Sequence, residues 1–182
     1  FSLSVSKVGS GAVTSNPAGI NCGTDCSENY ASGATVTLKA VPANGWKRSL
    51  GRPWQGCDTA DGSTCTVIMN AAKTVTATFN PVLQVTHNGN GVITSVQPGI
   101  DCGIDCENSY ALNSDITLTA TPAAGFTLTR WGGACTGVAA TCTVRMNEPK
   151  NVTATFGNGG SATTLITHYY VSILEREPEA DG

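Results

Sequence analysis

Apolar and polar residues alternate with a period of two along much of this chain. Val36, Leu38 and Ala40 interleave with Thr35, Thr37 and Lys39, and Val75, Ala77 and Phe79 interleave with Thr74, Thr76 and Thr78. Successive side chains of a strand point to opposite faces, so this rhythm, with β-branched residues on the wet face, describes half-buried antiparallel strands. It predicts short strands near residues 3–8, 11–15, 34–41, 45–55, 64–69 and 73–79. Gly9-Ser10-Gly11, Pro42-Ala43-Asn44-Gly45 and Met69-Asn70 supply the turns between them. No stretch up to residue 157 keeps helical spacing for three turns, so an all-β fold is expected.

The same pattern is then written a second time. Leu3 and Val5 return as Leu83 and Val85, Gly9 and Gly11 as Gly89 and Gly91, and GINCGTDC (Gly19 to Cys26) as GIDCGIDC (Gly99 to Cys106). VTLKAVPANG (Val36 to Gly45) answers ITLTATPAAG (Ile116 to Gly125), still at an offset of 80 residues. Beyond this the offset shrinks to 77 or 78: Trp54 matches Trp131, Cys57 matches Cys135 and Cys65 matches Cys142. Only Trp46 to Arg52 fails to align. Its Arg-Ser-Leu-Gly-Arg-Pro insertion is expected to form a loop or an irregular strand, since insertions collect in exposed connections. The expected organisation is one antiparallel module over residues 1–80, a second over 81–157, and a separate segment over 158–182.

Each copy carries four cysteines: Cys22, Cys26, Cys57 and Cys65, then Cys102, Cys106, Cys135 and Cys142. Four thiols in so small a module read either as two disulfides, compensating for a limited apolar core, or as a zinc site with four cysteine ligands. The second pair in each copy is spaced too widely and too variably for a zinc knuckle, and the Thr-rich strands look extracellular, so disulfides are the preferred reading. Four cysteines allow three pairings. The local scheme, Cys22–Cys26 and Cys57–Cys65 with their counterparts in copy two, is preferred. Loops this short contribute roughly 2–2.6 kcal/mol each on a chain-entropy model.

The run PAGINCGTDC…YASGATVTLKAVPANG…WQGC…TCTVIMNAAKTVTATF resembles the divergent internalin-type B repeat of bacterial secreted and cell-surface proteins. Copy two matches more closely, because GFTLTRWGGAC carries the Gly-aromatic…Trp-x-Gly-x-Cys stretch without an insertion. The resemblance spans residues 1–157. It implies small β-sandwich or β-grasp-like modules strung in series on exported proteins, and it brings no catalytic motif.

The remaining segment follows a Gly-Asn-Gly-Gly-Ser joint, Gly157 to Ser161. Read as a helix, Leu165, Ile166, Tyr169, Ile173 and Leu174 share a face and Pro178 ends it; read as a strand, Leu165, Tyr169, Val171 and Ile173 share one. The helix is favoured, because Tyr170…Ile173-Leu174…Arg176-Glu177-Pro178…Asp181-Gly182 resembles the opening helix of a helical domain of unknown function found after repeats in bacterial surface proteins. As a strand, the stretch from Thr164 to Leu174 would support self-association by strand addition.

Candidate chemistry is sparse. His87 precedes a turn where copy one has Lys7, and His168 lies in the last segment, so no Ser-His-Asp or Cys-His arrangement can be assembled. Asp25 and Asp105, with Asn21 and Asp101 nearby, offer two or three oxygens where calcium wants six to eight, and are read as turn formers. Trp54 and Trp131 are expected to pack on the adjacent disulfide, and Trp46 to join the core. Exposed instead, they would form a sugar-stacking platform. No metal and no cofactor is expected. The 182 residues carry a net charge of −3 and show no basic face for nucleic acid, and no apolar run approaches the ~20 residues of a membrane span. Phe1 opens directly on a strand pattern, so a processed or trimmed product is expected.

The leading expectation is therefore a non-enzymatic structural or adhesive repeat segment, secreted or at a cell surface. Alternatives are a filament subunit and a carbohydrate-binding module. Copy one holds six basic and four acidic residues and copy two three and five, which permits head-to-tail stacking. Partners would be other copies of the chain, surface proteins or glycans, with no nucleic acid and no membrane insertion.

Overall fold

The computed structural model describes residues 1–159. The C-terminal segment, with the helix-or-strand reading and the self-association residues Leu165, Tyr169, Val171 and Ile173, lies outside the described residues, as does His168.

The first copy forms β1 (Ser2–Val8), β2 (Gly11–Asn16), β3 (Asn21–Cys22), β4 (Ser27–Asn29), β5 (Thr35–Pro42), β6 (Trp46–Arg48), β7 (Trp54–Gln55), β8 (Thr59–Ala60) and β9 (Thr64–Ile68). A long strand, β10 (Lys73–Asn88), follows. The second copy continues with β11 (Gly91–Ser95), β12 (Asp101–Cys102), β13 (Glu107–Ser109), β14 (Asp115–Pro122), β15 (Phe126–Gly133), β16 (Thr141–Arg145) and β17 (Lys150–Asn158). No helix occurs among the described residues. The all-β fold in two tandem modules is as the alternation predicts. The short strands β3, β4 and β8, and β12 and β13 in copy two, are too brief to leave a periodic trace in the sequence.

Each module has its own small antiparallel sheet, ordered β3-β2-β5-β9-β8 in the first and β12-β11-β14-β16 in the second. A third sheet, with β15-β17-β10-β1-β4 as its path, runs through both modules. The alternating residues of the module sheet and of the shared sheet meet in one core per copy. In the first, Val13, Val36, Leu38 and Val67 join Leu3, Val5, Val75, Ala77 and Phe79. In the second, Ile93, Ile116, Leu118 and Val144 join Leu83, Val85, Val152, Ala154 and Phe156. The cystine sulfurs are part of this interior, with Cys22, Cys65, Cys102 and Cys135 all buried.

The module sheets are antiparallel, as expected, but the shared sheet adds a parallel element that the alternation does not foretell. The first and last strands of each module pair in parallel: β1 with β10 from Leu3↔Lys73 to Val8↔Thr78, and β10 with β17 from Leu83↔Lys150 to Asn88↔Thr155. A parallel pair needs a long crossover, and the whole of the module sheet supplies it. Alternation reports which face a residue occupies and says nothing of strand direction. The parallel pair makes each module end beside its first strand and heading the same way. β10 can then run on without a turn and serve as first strand of the next module.

Two glycines hold the corresponding turns. Gly9 (φ 80°) and Gly89 (φ 81°) lie in the left-handed region, and a Cβ on either would strike the carbonyl oxygen of Phe79 or Phe156 respectively. The close approach lets the β1–β2 and β10–β11 turns lie on the last core aromatic of their module.

Candidate functional site

Four disulfides join Cys22 to Cys26, Cys57 to Cys65, Cys102 to Cys106 and Cys135 to Cys142. No free cysteine occurs among the described residues. The Cys22–Cys26 loop is wound tightly: the carbonyl of Asn21 accepts from the amides of Gly23, Thr24 and Asp25, and Asp25 Oδ1 accepts from the amide of Ser27 at 3.2 Å. Asp101 and Asp105 repeat the arrangement, Asp105 Oδ1 accepting from Glu107. The side chains of Asp25 and Asp105 are engaged with backbone amides as turn formers. Among the described residues, no three His, Cys, Asp or Glu side chains are grouped to hold a metal ion. His87 lies edge-on to Phe156 at 6.1 Å between ring centroids, with Nδ1 3.3 Å from the Gly89 carbonyl, which places it in turn packing.

The second loop of each copy is where the modules diverge. In copy one Asp61 organises it: Oδ1 accepts from the amides of Ser63 at 2.7 Å and Thr64 at 2.6 Å, and Oδ2 from Thr64 Oγ1 at 2.9 Å. These donors, the two backbone amides first, lower its pKa from 3.8 to about 2. Asp58 accepts from the Ile68 amide and pairs with Lys73 Nζ at 2.7 Å, and both lower its pKa. The copy-two loop from Thr136 to Thr141 contains no carboxylate.

The predicted strand over 45–55 is interrupted in copy one. β6 pairs with β10 through Trp46↔Pro81, Lys47↔Asn80 and Arg48↔Phe79, and β7 resumes through Trp54↔Ala77. Between them the chain leaves the sheet and returns to the same residue: the Ser49 amide donates to the Thr78 carbonyl at 3.0 Å, and the Thr78 amide donates to the Pro53 carbonyl at 2.8 Å. Copy two crosses the same place in one strand, β15, with a single register shift between Leu128 and Arg130. The insertion thus takes the shape of a bulge of residues 49–53 on the edge of the shared sheet.

That bulge borders a cleft of about 660 Å³ whose lining includes Trp46, Arg48, Leu50, Arg52, Trp54 and Asp61. Trp54 and Trp131 are buried in their cores, as expected, but Trp46 is only half-buried against its core. The indoles differ in one further respect. Trp131 Nε1 donates to the Ala139 carbonyl at 2.7 Å, whereas buried Trp54 Nε1 has no hydrogen-bond partner among the described residues. In the sequence Arg48 and Arg52 belong to the insertion and carry no motif that singles them out. Their signal was the mismatch with copy two, which the register resolves: Arg48 opposite Phe79 stands where copy two has Leu128 opposite Phe156.

The modules also meet each other. Lys47 Nζ lies 2.6 Å from Glu107 Oε1, the Val82 amide donates to the Gly45 carbonyl at 2.9 Å, and a Cβ on Gly45 would press on the Pro149 ring.

Two stapled all-β repeats sharing a strand define a tandem repeat protein. Residues 1–83 and 81–160 each match the family model of the divergent InlB B-repeat domain, and the chain belongs to that family. The two matches overlap within β10, the strand both modules use. No curated protein matches the chain. The family points to a structural, non-enzymatic repeat segment, and together with the disulfides it points to an extracellular setting.

Proposed function

We propose that this chain is a stiff, non-catalytic spacer segment of an exported or cell-surface protein, holding other parts of that protein at a set distance and direction. The observation that carries the reading is β10. Sixteen residues run without a break from the core of one module to the core of the next. The strand is hydrogen-bonded on the way to β1, β6 and β7 of the first module and to β13 and β17 of the second. Ordinary domains are joined by exposed linkers that leave relative motion free. Here bending at the joint would break sheet hydrogen bonds and uncover Asn80, Val82 and Leu83, all buried. The disulfides add resistance to local opening of the loops they close.

Residual dipolar couplings test this directly. A shared alignment tensor for residues 1–79 and 83–158 is expected. Two independent tensors would overturn the spacer reading, and insertion of Gly-Gly-Ser after Asn80 should produce that state on purpose.

A further inference from the structure

We propose that the cleft beside the 49–53 bulge of module one is a binding site for a short acidic saccharide, a sugar carrying a carboxylate. The proposal stands independently of the spacer reading.

The two modules are an internal comparison. Where copy two seals its sheet edge with one continuous strand, copy one extrudes a bulge beside a cleft of about 660 Å³, within the size range of small-ligand sites. Where copy two packs Leu128 against its core, copy one places the half-buried Arg48. The Arg48 stem can still cover apolar surface, but its guanidinium cannot join the core as the Leu128 side chain does. Arg48 and Arg52 make no ion pair among the described residues; Lys47, the neighbouring cation, is taken by Glu107.

The second observation is the Trp54 donor. Its indole is 7% exposed and lines the cleft, and its Nε1 is unpartnered, while the equivalent Trp131 donor is satisfied by Ala139. A buried donor left unpaired is costly and uncommon. The carbonyl that should satisfy it belongs to Gly62, the counterpart of Ala139 in the alignment, in the loop that Asp61 holds in another turn. The nitrogen itself is shielded from solvent, so the comparison shows that the loop beside the cleft does not close on the Trp54 indole as its counterpart closes on Trp131.

The chemistry of the lining selects the ligand class. The half-buried Trp46 indole suits the C–H face of a pyranose, and two guanidinium forks suit a carboxylate. The Asp61 carboxylate is engaged by four hydrogen bonds from its own loop, so it competes little for the arginines.

The test uses the whole chain, ¹⁵N-labelled, whose three indole N–H signals are assigned with Trp46→Phe, Trp54→Phe and Trp131→Phe. It is titrated with α-methyl N-acetylneuraminic acid and separately with trigalacturonate, which distinguishes sialylated glycans from uronate polymers. Lactose and triglutamate are the neutral-sugar and acidic-peptide comparisons. Saturable shifts of the Trp46 and Trp54 signals with either acidic sugar, and an unmoved Trp131 signal, are expected. The double variant Arg48→Gln/Arg52→Gln should weaken that binding about tenfold or more while its Trp131 signal stays in place as a check on folding. The proposal is overturned if neither acidic sugar gives a saturable shift up to about 10 mM. It is equally overturned by a response to lactose or triglutamate as strong as that to the acidic sugars, or by unchanged affinity in the double variant.

Discussion

Module two is the plain form of this repeat and module one the elaborated form. Both build the same core from the same strand faces, with Leu38 and Leu118, Val67 and Val144, Met69 and Met146, and Phe79 and Phe156 in matching places. They part at one edge. Module one carries the 49–53 bulge, the Arg48 and Arg52 cations, an unpaired Trp54 donor and an aspartate-bound loop; module two has an unbroken β15, Leu128, a paired Trp131 and a loop without carboxylates. The difference teaches that the frame tolerates change where side chains leave the core.

The largest expected effect probes what the modules share. Phe79 closes the first core beneath Gly11 and Phe156 the second beneath Gly91. Truncating either to alanine should cost about 3–5 kcal/mol in denaturant unfolding. Because Phe79 sits on the shared strand, its loss should also lower amide-exchange protection in β17, whereas Phe156→Ala should leave β1 and β9 protected. Equal, purely local losses would show that β10 does not couple the modules.

The indole donors separate the modules more finely. Trp131→Phe removes a bond to Ala139 and should destabilise by about 1 kcal/mol, whereas Trp54→Phe removes no hydrogen bond and should cost less. Thermal melts of the two variants read the difference. A Trp54 variant as damaging as its counterpart would argue that its donor is paired in solution.

Acid should act on one module's loop alone. Asp61 has its folded pKa depressed from 3.8 to about 2, so its contribution is complete above pH 3.8 and is lost as pH falls toward 2. The Ser63 and Thr64 amide signals should move through that window, while those of the Thr136 to Thr141 loop stay still. Asp61→Asn should abolish the transition, and its survival in that variant would assign it to another group.

The smallest effect concerns the seam. Lys47 and Glu107 are 53% and 44% exposed, so a double-mutant cycle should find a coupling below about 1 kcal/mol. A larger value would shift the weight of the joint from β10 to this ion pair.

Much of the fold was legible in the residues. Val36, Leu38 and Ala40 face inward as their alternation requires, and Val13, Val75 and Phe79 do the same. The insertion around Ser49 and Leu50 was visible as a break in the repeat. The candidate site was less so. Arg48 and Arg52 read as surface loop until the register placed Arg48 opposite Phe79, and no local pattern distinguishes the Trp54 donor from that of Trp131.

The amino-acid order by itself determined the strands, the duplication and the inward faces, because each is a local consequence of period-two alternation and turn chemistry. Only the tertiary structure decided that the first and last strands of each module pair in parallel, that one strand serves two cores, and that an indole donor faces no acceptor. Those are relations between residues about 70 positions apart, or between a donor and a loop whose path is set by its own hydrogen bonds. Such relations depend on strand direction and register, which alternation leaves open.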